Sequence, residues 1–180
     1  VTREAWQVLT AAAEVWLRTE RHPTVGRLPK HVNLHSFDSL YDQGESFADV
    51  YEGIVARLLD LGRRPQGVVY GVPGHPMVGE ATVTAIISRA REEGLRVRVV
   101  EGLSFVEPTL TALEVDALDG MQIVDAVEVA ASHHPPLNPD LPALVAQLHS
   151  RSVAGAVKLA LMNEYPDELE VVLVHAAGTD

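Results

Sequence analysis

Apolar positions near the start of the chain fall at helical spacing. Trp6, Leu9 and Ala13 share one face of a helix predicted over residues 3–13. Val15-Trp16-Leu17 follows as a short buried strand. Residues 18–35 carry no clear period and read as an irregular segment. Phe37-Asp38-Ser39-Leu40-Tyr41 then leads to Ser46, a predicted helix cap. The clearest helix comes next: Phe47, Val50, Tyr51, Ile54, Leu58 and Leu61 trace a single stripe, and Gly62 is its stop signal.

Val68-Val69-Tyr70 reads as a compact strand that runs into a loop rich in glycine and proline. A second helix is predicted from about residue 78 to 93, with Val83, Ile86, Ile87 and Ala90 inward, and Gly94 ends it. Val97-Arg98-Val99-Val100 supplies a further strand. Strand, loop, helix and strand at these lengths predict a βαβ unit with a parallel crossover. The second half repeats the alternation more loosely. A helix over residues 104–113, a strand at 122–124 and a helical turn at 127–131 precede the loop 132–140, with its three prolines. A strand at 144–148, a helix with Val153, Val157, Ala160 and Leu161 inward, and a last strand at 171–174 complete the reading.

Composition narrows the class. Apolar residues make up 47 % of the 180 residues but aromatics only 5 %, so the core is mostly valine, leucine and alanine. That mixture suits parallel strands covered by helices. No cysteine is present, which excludes disulfides, thiolate metal sites and a cysteine nucleophile. No uninterrupted apolar run approaches the roughly 18 residues of a membrane span, so no membrane partner is expected. Arg3, Glu4 and Glu14 interrupt the apolar start, which argues against a signal peptide and for a cytoplasmic address. The net charge of −11 disfavours nucleic acid as a partner.

The loop Gly71-Val72-Pro73-Gly74-His75-Pro76-Met77-Val78-Gly79-Glu80 carries the candidate chemistry. It follows a strand, where α/β sheets place their ligands. Its glycines let backbone approach a small molecule and its prolines fix its shape. It matches neither the dinucleotide fingerprint nor the phosphate-binding loop. A tight turn without a ligand is the other reading. Arg18, Arg27 and Lys30 with His22, His31 and His35 suggest a cradle for a polyanionic substrate, or else a solvated lid. His75 is either a ligand contact or a histidine bonded to its own loop. Asp38 is either functional or a turn cap, and Ser104 caps the helix that it begins. Glu80 either steers a ligand or simply complements a helix N-terminus. His133-His134 reads as exposed surface rather than as a metal site, while Lys158 and Tyr165 read as structural.

Val69-Tyr70-Gly71-Val72-Pro73-Gly74-His75-Pro76-Met77-Val78 resembles the central loop of the tetrapyrrole methylases, class III S-adenosylmethionine methyltransferases. It is most similar to the branch fused to MazG-type nucleotide pyrophosphohydrolases, which carries Gly-His-Pro where cobalamin and siroheme methylases carry Gly-Asp-Pro. Leu17-Arg18-Thr19, Ser36-Phe37-Asp38-Ser39-Leu40-Tyr41, Glu101-Gly102-Leu103-Ser104-Phe105, Lys158-Leu159 and Tyr165-Pro166 agree in order and spacing, so the likeness spans nearly the whole chain.

The resemblance implies a two-lobed α/β fold: a parallel sheet with flanking helices in residues 1–102, and a second mixed α/β lobe in residues 103–180. It implies a homodimer with S-adenosylmethionine in the cleft between lobes, lined by Pro73, Gly74, His75, Pro76, Met77, Val78 and Ser104. Arg18, Asp38 and His35 would face a small-molecule, tetrapyrrole-like acceptor. The family's opening strand with its Gly-x-Gly-Pro-Gly-Asp loop has no counterpart here, nor do its final strands, so the fold is expected to be truncated at both ends. No metal is implied, and no general base is evident. Methyl transfer needs in-line alignment more than an acid–base pair. The alternative is a non-catalytic ligand-binding or assembly module associated with a MazG-type pyrophosphohydrolase. The histidine in place of aspartate and the absent first loop favour it.

Overall fold

The computed structural model describes residues 1–43 and 46–178. Two compact units emerge, Val1–Ser104 and Phe105–Asp180. The first opens with α1 (Arg3–Ala11), capped by the Thr2 hydroxyl, which accepts from the Ala5 N–H. It holds a parallel three-stranded sheet of β1 (Glu14–Leu17), β2 (Asn33–Ser36) and β3 (Tyr70–Gly71) in the order β2-β1-β3. Trp16 lies opposite His35 on one side and Tyr70 on the other.

Strand alternation sorts β1 onto two faces. Val15 and Leu17 pack with Leu9 of α1, Val32, Leu34 and Val69. Trp16 and Tyr70 pack instead on Phe37, Val50, Ile54, Leu58 and Leu61. Most of these belong to α3 (Phe47–Gly62), whose N-cap Ser46 accepts from the Asp49 N–H as its sequence predicts. Between them runs α2 (Asp38–Gln43). Helix α4 (Ala81–Glu92) lies against α3 through Val55, Leu59 and Ala90.

The second unit contains α5 (Val106–Leu113), β4 (Gln122–Asp125), α6 (Ala126–Ala131), β5 (Ala143–Ala146) and α7 (Arg151–Leu161). Strands β4 and β5 pair in parallel. Ala126, Val129, Val157 and Ala160 join α6 to α7. Among the described residues no helix is long and apolar enough to cross a membrane.

The α/β class, the parallel pairing and the helix-covered strands agree with the sequence reading, and several local expectations change. The segment 18–35 is not wholly irregular. It contains a 3-10 turn at Val25–Arg27 and ends in β2, whose Asn-Leu-His-Ser sequence has too little apolar character to announce a strand. What makes it one is the backbone ladder to β1. The runs at 97–100 and 171–174 are not strands. No neighbouring strand pairs with them among the described residues, and Val97, Val99 and residues 171–174 are exposed. The βαβ unit expected around α4 therefore lacks its closing strand. Helix α4 also starts at Ala81 rather than near 78, because Val78 closes a turn onto the His75 carbonyl. Phe105, not Ser104, occupies the N-cap position of α5.

Candidate functional site

The chemistry-bearing groups of the first unit gather at the carboxyl ends of β1 and β3. Arg18 directly follows β1, on the face that carries Trp16, and its N–H bonds to the Gly71 carbonyl at 2.9 Å. Its guanidinium Nη1 donates to Oε1 of Glu80. Glu80 sits at the N-cap position of α4 without capping it, and only 6 % of the residue is exposed. Thr82 donates its hydroxyl to Oε2 of Glu80 at 3.2 Å, and the Tyr70 hydroxyl meets Thr82 Oγ1 at 3.2 Å. One carboxylate thus ties the end of β1 to the start of α4, and through Tyr70 to β3.

Electrostatics follow from this burial. Burial works against the charge on Arg18, and the Glu80 carboxylate beside it more than compensates, so its pKa is raised. Burial also raises the pKa of both phenols, that of Tyr70 strongly. The Tyr41 ring lies 6.0 Å from the Arg18 guanidinium carbon, at the outer reach of a cation–π contact.

The 71–80 loop stands beside this cluster. Gly74 and Gly79 have φ of +78° and +70°, the left-handed region that glycine adopts without strain. His75 folds back on the loop: its Nδ1 accepts the Met77 N–H at 3.0 Å, which places the proton of the neutral ring on Nε2. A Cβ on Gly102 would come within 2.0 Å of the Gly74 carbonyl oxygen, so only glycine lets these two backbone segments meet. Met77 and Leu103, more than half exposed, add apolar surface to the two segments, and Ser104 is buried just beyond.

The remaining expectations divide. Arg18 and Asp38 both lie at the edge where β1 and β2 end. Asp38 accepts the Glu20 N–H at 2.9 Å and so shapes the turn after Arg18. Burial opposes its charge, and this bond with those from Thr19 and Ser36 overrides it and lowers its pKa. His35 lies further back, stacked on Trp16 at 4.5 Å, with Nε2 3.1 Å from Asn33 Nδ2 and 3.7 Å from Glu14. His22 Nδ1 accepts the Thr24 N–H, and His31 bonds to the Thr10 carbonyl. These histidines are thus engaged with backbone or neighbouring side chains of the first unit.

His133 and His134 meet edge to face, and His134 pairs with Glu164 at 2.7 Å. No group of residues able to hold a metal ion occurs among the described residues. Sequence reasoning passed over Tyr41, Tyr70 and Thr82. The signal was available: Arg18 and Glu80 both follow strand ends, where a buried ion pair needs further hydrogen-bonding neighbours.

Parallel strands flanked by helices, with a glycine-built loop at their carboxyl edge, define an α/β protein with a candidate ligand site at the strand ends. The family described as Tetrapyrrole (Corrin/Porphyrin) Methylases matches residues 1–180, and the chain belongs to it. Protein YabN of Bacillus subtilis (strain 168) is 37 % identical over 179 residues, covering 96 % of this chain. The chain spans 35 % of the length of that relative. Among solved structures, the uroporphyrin-III-C-methyltransferase of Thermus thermophilus matches with a TM-score of 0.61 and 23 % identity, over 92 % of this chain and 68 % of its own. The cobalamin biosynthetic enzyme cobalt precorrin-4 methyltransferase matches at 0.58 and 15 %, over 91 % and 68 %. At these identities the two structures establish the fold.

Proposed function

We propose that the chain is the S-adenosylmethionine-binding part of a methyltransferase acting on a small, tetrapyrrole-like acceptor. Membership of the methylase family carries the reading. The close approach of Gly102 to Gly74, in the segments the family likeness assigns to the cofactor, supports it. The residues present fit such a ligand. Bare backbone at Gly74 admits close approach, exposed Met77 and Leu103 suit an adenine or thioether surface, and His75 Nε2–H is a donor. Pro73, Pro76 and Val78 hold the loop, and Ser104 completes the set.

Bound S-adenosylmethionine supplies an electrophilic sulfonium methyl group. The work of this chain is to hold the donor and orient the acceptor, and alignment of that kind is a large contributor to rate. Arg18 and Asp38 serve the acceptor side from the end of β1, while His35 supports them through Trp16. We place the protein in the cytoplasm as a homodimer, with a MazG-type pyrophosphohydrolase domain as its associated partner. The second reading, a binding module without turnover, draws on the commitment of His75 Nδ1 to its own loop.

Calorimetry with S-adenosylhomocysteine tests the reading. Wild-type protein is expected to release or absorb heat saturably, and to gain about 2.7 kcal/mol of stability at 100 times the Kd. Gly102→Ala should abolish the heat while far-UV circular dichroism stays native, and Met77→Ala, at an exposed site, should weaken it severalfold. No heat from the wild-type chain overturns the reading. Binding with no methylated product from any tetrapyrrole selects the module.

A further inference from the structure

Arg18 Nε and the Tyr41 hydroxyl are buried, and neither has a hydrogen-bond partner among the described residues. Nε1 of Trp16 is buried without a partner as well, beside the Glu14 carboxylate that it helps to stabilise, as the Arg18 guanidinium acts on the Tyr41 phenol. The other two belong to side chains in contact with each other. Buried polar atoms are almost always paired, and leaving two donors unmatched costs free energy. Turning Nε–H toward the phenol oxygen would satisfy only one of them, because the phenol proton would still lack an acceptor.

The bonding observed within the cluster supplies no such acceptor. One oxygen of Glu80 is held by Arg18 Nη1 and the other by the Thr82 hydroxyl, which in turn meets Tyr70. The guanidinium is thereby fixed on one side, while 29 % of the Arg18 side chain as a whole remains exposed. Charge limits what fits. Arg18 and Glu80 form a neutral pair within a chain of net charge −11, so a singly charged carboxylate is favoured over a phosphate dianion.

We propose that Arg18 Nε–H and Tyr41 O–H form a two-donor seat for one carboxylate group of a bound small molecule. The inference rests on the methyltransferase reading only for the source of that carboxylate: the amino-acid end of the cofactor, or the acceptor. The seat lies outside the 71–80 loop and adds Tyr41 to the site.

The Arg18 Nε–H resonance in nitrogen-15 NMR reads the seat directly. Acetate should shift it saturably, sodium chloride at equal ionic strength should not, and phosphate should act more weakly. Tyr41→Phe, which keeps the ring beside the guanidinium, should weaken acetate about tenfold. The same signal then separates the sources. A shift with S-adenosylhomocysteine but not with 5′-methylthioadenosine, which lacks the carboxylate, assigns the seat to the cofactor. A shift with uroporphyrin III alone assigns it to the acceptor. A resonance unmoved by acetate, S-adenosylhomocysteine and uroporphyrin III overturns the proposal, as does equal acetate affinity in wild type and Tyr41→Phe. S-adenosylhomocysteine heat with a silent Arg18 signal removes the seat and leaves the methyltransferase reading standing. An acetate shift without that heat does the reverse.

Discussion

The first unit surrounds its three-stranded sheet with Phe37, Ile54, Leu58 and two aromatic neighbours from the strands, and buries an ion pair beside them. The second closes its two strands with Ala126, Val129, Val157 and Ala160. Large side chains on both faces of a sheet make a stiff platform, and a stiff platform can hold a charged pair at its edge in one geometry. Small residues bring helices close but leave little apolar area to offset a buried charge. The contrast explains why Glu80 and Thr82 are buried in the first unit with Arg18 and Tyr70 half-buried beside them, whereas the buried polar side chain of the second, among the described residues, is Thr109, bonded to the Phe105 carbonyl.

The largest test of that contrast is a pair of core truncations. Ile54 is wholly buried in α3 and Val129 nearly so in α6. Ile54→Ala should cost about 4 kcal/mol and Val129→Ala about 2 kcal/mol, read from urea unfolding of each variant against wild type. Equal losses would mean that the two cores tolerate cavities alike, and the argument from stiffness would fail.

Arg18→Met sharpens it at the site. The substitution keeps the apolar stem and leaves the Glu80 carboxylate buried without its cation. Because Arg18 is partly exposed, the loss is set at about 2 kcal/mol near pH 7, below the usual cost of breaking a fully buried pair. The double variant R18M/E80Q should recover most of the loss, since the amide can still accept from Thr82. Failure to recover would show that the arginine acts through packing rather than through charge.

What the sequence disclosed follows a physical line. Helices with long apolar stripes, such as α3 behind its Ser46 cap and α7, were legible because their signals are local. Pairing decided the strands, and pairing is not local. Polar β2 becomes a strand because β1 offers it a backbone ladder, while the valine-rich runs at 97–100 and 171–174 pair with no strand among the described residues and are largely exposed. The glycine loop and Arg18 could be singled out because glycine, proline and a charge after a strand each have few structural uses. Tyr41, Tyr70 and Thr82 were harder to see, since aromatic and hydroxyl residues inside amphipathic stretches look like core until the fold sets them beside Arg18 and Glu80.

Asp38 offers the smallest and most specific test, because it shapes the site without belonging to the buried core. It holds the turn after Arg18 by accepting the Glu20 N–H, and its pKa is lowered in the folded state. A depressed folded-state pKa contributes stability that is present above the unfolded value of about 3.9 and is lost as pH falls through the folded one. Wild type should therefore lose an acid-dependent increment that Asp38→Asn lacks. At neutral pH the variant should be destabilised by less than about 1 kcal/mol, since the carboxylate is only partly shielded from solvent. Titrating stability from pH 6 to pH 2.5 for both proteins separates the two roles of the residue. A difference that narrows toward low pH identifies Asp38 as an anionic brace for the Arg18 turn. A difference constant with pH would mean that hydrogen-bond geometry alone, which asparagine can partly reproduce, fixes that turn.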